Sequence, residues 1–155
     1  MFKYNIEKEW TYKRFKCIVI FNGYFRCGDV GIPKTHIAYG VHYDNVNIYV
    51  HGGLTYSGNL IHIVNNDLWW FGFDCAHASD KILSLPSDSD HFWILAEVIE
   101  ETNRLADRLS TIKPIDLISP ELMTKIIEKE NKSIEQLSDK ILLEYINKEM
   151  VVGGL

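Results

Sequence analysis

Near residue 86 the chain changes character, and that break limits its possible folds more than any other feature. Upstream the sequence is aromatic, glycine-punctuated and strand-like; downstream it is charged and carries helical spacing. Asn22-Gly23 sits between two apolar runs in CIVIFNGYFRC. That dipeptide tolerates the positive φ angles of a tight turn, which predicts strands over about 16–21 and 24–27. GDVGIPKTHIAYG reads as a long irregular loop, glycine-rich and broken by Pro33. NVNIYVH alternates Val46, Ile48 and Val50 with Asn47, Tyr49 and His51, the pattern of a half-buried strand. NLIHIVNNDLWWFGF reads as a second hairpin, turning at Asn65-Asn66-Asp67. The expectation is a mostly antiparallel sheet of about five strands.

Beyond the break, Leu95, Val98, Ile99, Thr102, Leu105, Ala106 and Leu109 recur at three- and four-residue spacing, with charges on the other face. This predicts a helix covering one face of the sheet, capped by Ser87, Asp88 or Ser89. The fold class is therefore α+β, with a core domain over residues 1–112. Residues 113–155 form a helical extension. There Ser119 caps a helix with Pro120 at its first position, and Ile134, Leu137, Ile141 and Tyr145 line one stripe of the next. Local burial of apolar stripes favours docking on the same chain; docking on another subunit is the alternative.

A chain of 155 residues, 46% hydrophobic, is long enough for one real core. Its net charge of -5, without any Lys/Arg stripe, argues against duplex nucleic acid, which needs clustered cations to displace counterions. Three cysteines, an odd number, suggest reduced thiols in a cytosol. The start MFKYNIEKEW is too polar for a signal peptide, and no apolar run approaches the roughly 18 residues of a membrane span. A cytoplasmic protein without a membrane partner is expected.

Two segments carry chemistry: VHGGLTYSG, 50–58, and WWFGFDCAHASD, 69–80. Each begins as a probable strand and runs into a polar loop, so His51 and Asp74 are expected to face a common cleft. Gly52-Gly53 bares backbone amides, and Thr55, Tyr56 and Ser57 add hydroxyls. Such a loop suits phosphate or ribose, although the Lys-Ser/Thr ending of a P-loop is missing. A glycine-permitted turn with internally satisfied hydroxyls is the competing explanation. Cys75-x-His77 is tight for a structural zinc pair and has no second pair to complete it. Asp74, His77, Asp80 and His51 could make an N/O site for a catalytic metal, but zinc-type spacing is only half met, so no metal and no cofactor are expected. Cys75 as a nucleophile needs a base, and an inert buried thiol explains it more simply. His51 and His77 have the residue type for a general acid and base.

The blocks RCGDVGIPKTHIAYGVHYDNVNIYVHGGLTYS, LWWFGFDCAHASD and EVIEETNRLADRL occur in an order similar to that of a widespread family of small tailed-phage and prophage proteins. The resemblance covers about residues 24 to 110 and departs at Asp29, where an uncharged residue is expected, and at Thr35. It implies a phage setting. By analogy with small phage proteins that counter host defences, it implies capture of a nucleotide-derived immune signal, a cyclic nucleotide or an ADP-ribose derivative.

The combined expectation is an anti-defence binding protein acting as a sponge for such a ligand. His51, the Gly52-Gly53 amides, Thr55 and Ser57 would hold phosphate or ribose, and Arg26 would neutralise charge. Tyr43 or Trp70 would stack on the base. Asp74 and Asp80 would take ribose hydroxyls, with Tyr56, Cys75 and His77 completing the lining. The alternatives are a phosphodiesterase or related hydrolase working through His51 and His77, and a protein-interaction module using the C-terminal helices. A homo-oligomer is expected, because a whole nucleotide is more easily enclosed between subunits.

Overall fold

A computed structural model describes residues 4–60, 67–86 and 90–153. The chain is an α+β protein built on a five-stranded antiparallel sheet. Strands β1 (Asn5–Tyr12), β2 (Phe15–Phe21), β3 (Arg26–Ile32), β4 (Tyr56–Gly58) and β5 (Trp69–Asp74) stand in the order β1-β2-β3-β5-β4. The β2–β3 turn forms where Asn22-Gly23 predicts it. Gly23 takes φ +95°, and the Asn22 side chain accepts from the Tyr24 and Phe25 amides.

Four strand assignments change, one of them β4, which lies in a stretch read as polar loop. β1, unread in the sequence, is a charged edge strand whose register shifts between Ile6 and Lys8. β3 continues through Ile32, into the stretch read as loop. Residues 46–50 are not a strand, although Val46 and Val50 are buried and Asn47 and Tyr49 exposed. That segment packs against the core without a sheet partner, and its Asn47 amide donates to the Asp116 carbonyl. The proposed Asn65-Asn66-Asp67 turn lies largely outside the described residues, as do the caps Ser87, Asp88 and Ser89.

The sheet is covered on one face by helix α1 (Leu95–Ser110), which buries Val98, Thr102, Leu105, Ala106 and Leu109. These pack with Cys17, Val19, Val30, Phe71 and Phe73 in one apolar cluster. Helix α1 starts at Leu95, the first residue of its apolar spacing and later than a cap at Ser87, Asp88 or Ser89 would place it. Residues before it are held extended by backbone bonds from the His91 amide to the Ser79 carbonyl and from the Lys81 amide to the His91 carbonyl. Glu97 then caps the helix by accepting from the Ile94 amide.

Helices α2 (Pro120–Glu130) and α3 (Asp139–Gly153) follow. Ser119 caps α2 through the Leu122 amide, with Pro120 at the first position, as its sequence predicts. Leu117, Ile126, Leu142 and Ile146 enter the same apolar cluster as the sheet and α1. The buried residues of α3 are Leu142 and Ile146, one position on from the predicted Ile141 and Tyr145.

The opposite sheet face carries a smaller cluster of Ile18, Ile20 and Trp70, joined by Ile6, Tyr56, Leu60 and Leu68. Asp29 falls on this face, because its neighbours Gly28 and Val30 point toward α1.

Candidate functional site

The two chemical segments meet. At the end of β5 the chain turns, and Asp80, 6% exposed, becomes the hub of a polar knot. His51 Nε2 donates to Asp80 Oδ2 at 2.8 Å, the His77 amide donates to the same oxygen at 3.0 Å, and Trp93 Nε1 donates to Oδ1 at 3.0 Å. The Trp93 ring lies 4.2 Å from the His51 ring, and the His77 ring meets His51 edge-on at 5.6 Å. From the helix side the His51 amide donates to Glu101 Oε1, while Arg104 holds the other Glu101 oxygen. His51 is thus fixed from three directions, which leaves it a rigid hinge-pin between loop and helix.

Gly52, at φ +68°, lies directly beneath His77; a Cβ there would overlap the imidazole. His77 Nε2 lies 3.2 Å from Asp74 Oδ1 without forming a hydrogen bond. Asp74 Oδ1 instead accepts from the Ala76 amide. His51 and Asp74 therefore occupy one region, bridged by His77, as expected, although only Asp74 stands at the end of a strand.

Asp74 also faces a second environment. Behind the sheet lies a cleft of about 550 Å³, lined by Asp29, Asp74, Thr55, Tyr56, Asn59 and Phe25, with Tyr4 and Cys27 beside them. Its volume falls within the roughly 300–1,000 Å³ usual for small-molecule sites. Asp29 is 4% exposed and, among the described residues, its carboxyl makes no hydrogen bond or ion pair. Burial pushes that carboxyl from its ordinary value of 3.8 up to about 8. Gly72 opposite makes room for it: a Cβ at 72 would collide with Asp29 Oδ1. Burial also pushes the Cys27 thiol up to about 12, helped by the neighbouring Asp29 and Asp74 carboxyls.

The remaining expected residues divide. Thr55, Tyr56 and Asp74 line the cleft; His51, Gly52, His77 and Asp80 form the knot beside it. Arg26 serves neither, for its guanidinium pairs with both Glu7 oxygens and donates to the Trp93 carbonyl, between the rings of Phe21 and Phe92. Trp70 is fully buried and presents no stacking surface. Cys75 is buried toward α1, with its thiol driven upward by burial and by Asp80. Tyr43 stacks on His42 at 4.4 Å, and its amide donates to Ser57 Oγ, on the side of the sheet away from the cleft. The Gly53 amide is used by the Val50 carbonyl, closing the turn.

Sequence reading missed Asp29, Glu7, Trp93 and Glu101. Only Asp29 left a signal, as a charge within an otherwise apolar and glycine-rich strand. No group of three or more His, Cys, Asp or Glu side chains among the described residues is arranged to hold a metal ion. No helix among them is long and apolar enough to cross a membrane. Comparison with known proteins finds no matching family model, curated protein or solved structure, so function has to be read from this geometry.

Proposed function

We propose that this chain binds and sequesters a small nucleotide-derived ligand, with base and sugar in the cleft behind the sheet. The observation that carries the reading is the cleft itself: Thr55 and Tyr56 from one segment and Asp74 from the other line a single hollow with a buried, unpartnered carboxyl. Carboxylates such as Asp74 accept from vicinal ribose hydroxyls, and Tyr56, Phe25 and Tyr4 offer ring surface to a base. The cleft lining described contains no Lys, Arg or His, so phosphate groups extend toward solvent rather than into it. This alters the assignment of roles: the Gly52-Gly53 turn and Arg26 support the scaffold, and the cleft does the binding. In the phage setting that the resemblance implies, such a binder acts as a sponge for a host immune signal. A second copy closing over the open side would raise affinity, which makes a homo-oligomer part of the proposal.

One observation favours hydrolysis instead: Asp80 orients the His51 imidazole with His77 nearby, an arrangement used in general acid–base catalysis. Against it, His77 Nε2 is sealed from solvent and faces Asp74. Incubating the full chain with cyclic nucleotides and ADP-ribose derivatives, then heat-denaturing it and analysing the supernatant, separates the readings. Binding returns an intact ligand, and hydrolysis returns new products that vanish in His51→Ala. Uptake of none of them sinks both and leaves the interaction module. Light scattering at micromolar concentration checks the oligomer.

A further inference from the structure

The cleft floor carries more information than its shape. Asp29 is buried, unpartnered and set over Gly72, whose missing side chain is what lets the carboxyl lie across β5. A buried carboxyl without partners is costly, and a fold could remove the cost with any apolar residue at that position. The charged and titratable groups around it are Asp74 from β5, Cys27 from its own strand, Tyr56 from β4 and Tyr4 ahead of β1. Among the described residues none of the groups lining the cleft beside Asp29 is a cation.

Resting on the binding function proposed above, we infer that the Asp29 carboxyl reads the ligand's base, pairing edge-on with a flat ring edge that carries a hydrogen-bond donor beside an acceptor. One carboxyl oxygen accepts from the edge's N–H, an exocyclic amino group or a ring nitrogen, while the hydroxyl of the other donates to the adjacent ring nitrogen or carbonyl. This two-point pairing matches an edge of adenine, cytosine, guanine and uracil, and rejects phosphate, which offers acceptors alone. It needs the carboxyl in its neutral form, and burial supplies that by raising it to about 8. Once ionised, Asp29 loses its donor and turns an acceptor toward the base's own acceptor. The thiol of Cys27, pushed up to about 12, stays neutral throughout this range.

The test uses the full chain with adenosine, cytidine, guanosine and uridine, each beside a form in which every hydrogen on the donor of that edge is replaced by methyl (dimethylated at the amino group of adenosine and cytidine, monomethylated at the ring N–H of guanosine and uridine), followed by calorimetry between pH 6 and 9.5. At least one nucleoside binds at pH 6, and its methylated form binds roughly tenfold or more weakly, the loss expected when a buried hydrogen bond is blocked. Binding of the parent weakens as pH rises through about 8. Asp29→Asn, whose amide also offers one donor and one acceptor, keeps binding but flattens the pH dependence. Asp29→Leu abolishes it. Equal binding of parent and methylated nucleosides, or an Asp29→Leu variant that binds like the original, overturns the inference and leaves the binding function standing. No uptake of nucleosides or of the nucleotide panel overturns both.

Discussion

Replacing Asp29 with Asn isolates the cost of the buried carboxyl, and that cost has a definite pH signature. In the unfolded chain the group ionises near its ordinary 3.8, whereas in the fold it holds its proton to about 8. Between those values the native state binds more protons than the unfolded one, so its stability falls as pH rises. The contribution is fully present below about pH 4 and is lost by the time pH has passed about 8. The limiting slope is about 1.4 kcal/mol per pH unit. Water entering the open cleft reduces it, so a loss of about 2–4 kcal/mol between pH 5 and 8.5 is the reasonable expectation. Asn has no ionisation, and every other titrating group is shared by the two proteins and cancels in their difference. At about 2–4 °C per kcal/mol for a domain of this size, the melting temperature of Asp29→Asn gains roughly 5–12 °C on the original over that interval. Thermal melts followed by far-UV circular dichroism, in matched buffers at each pH, measure it. A difference constant with pH, or one that shrinks as pH rises, refutes the assignment of a neutral buried carboxyl.

Further outcomes test the knot and the thiols. Asp80→Ala strips the partners of His51, the His77 amide and Trp93 at once, costing about 3–5 kcal/mol in urea denaturation and shifting tryptophan emission. Gly52→Ala combines a strained φ of +68° with a clash against His77, and loses about 2 kcal/mol or more by the same assay. Cys17, Cys27 and Cys75, all raised by burial, react with iodoacetamide at pH 7.5 far more slowly than a free thiol until denaturant is added. Rapid labelling of Cys75 in the folded protein would contradict its position in the core.

Local chemistry was legible where the backbone itself demanded it. Asn22-Gly23 announces a turn because few other pairs accept its geometry, and Ser119-Pro120 announces a helix start for a similar reason. Alternation in 46–50 correctly signalled which side chains are buried. It could not reveal that the segment lacks a neighbour to pair with, since side-chain periodicity reports a packed face and not a ladder. β1 went unread because Glu7, Lys8 and Glu9 give an edge strand the look of a solvated loop. That omission propagated: without Glu7 in place, Arg26 looked available for a phosphate. The convergence of His51 with Asp74 was expected from two strand ends, of which only that of β5 exists, and Asp80 as their hub was not foreseen. Its role depends on Trp93, which reaches it from beyond the break in the chain.

Glycine 72 and aspartate 29 share one small volume across two neighbouring strands, so residue 72 cannot grow while the carboxyl keeps its seat. Any side chain at 72 evicts the carboxyl from its seat, while shrinking residue 29 leaves a gap that 72 could then grow into. Enlarging residue 72 in laboratory evolution therefore calls for a smaller residue at 29 in the same clone, a pairing that libraries varying one position at a time do not sample.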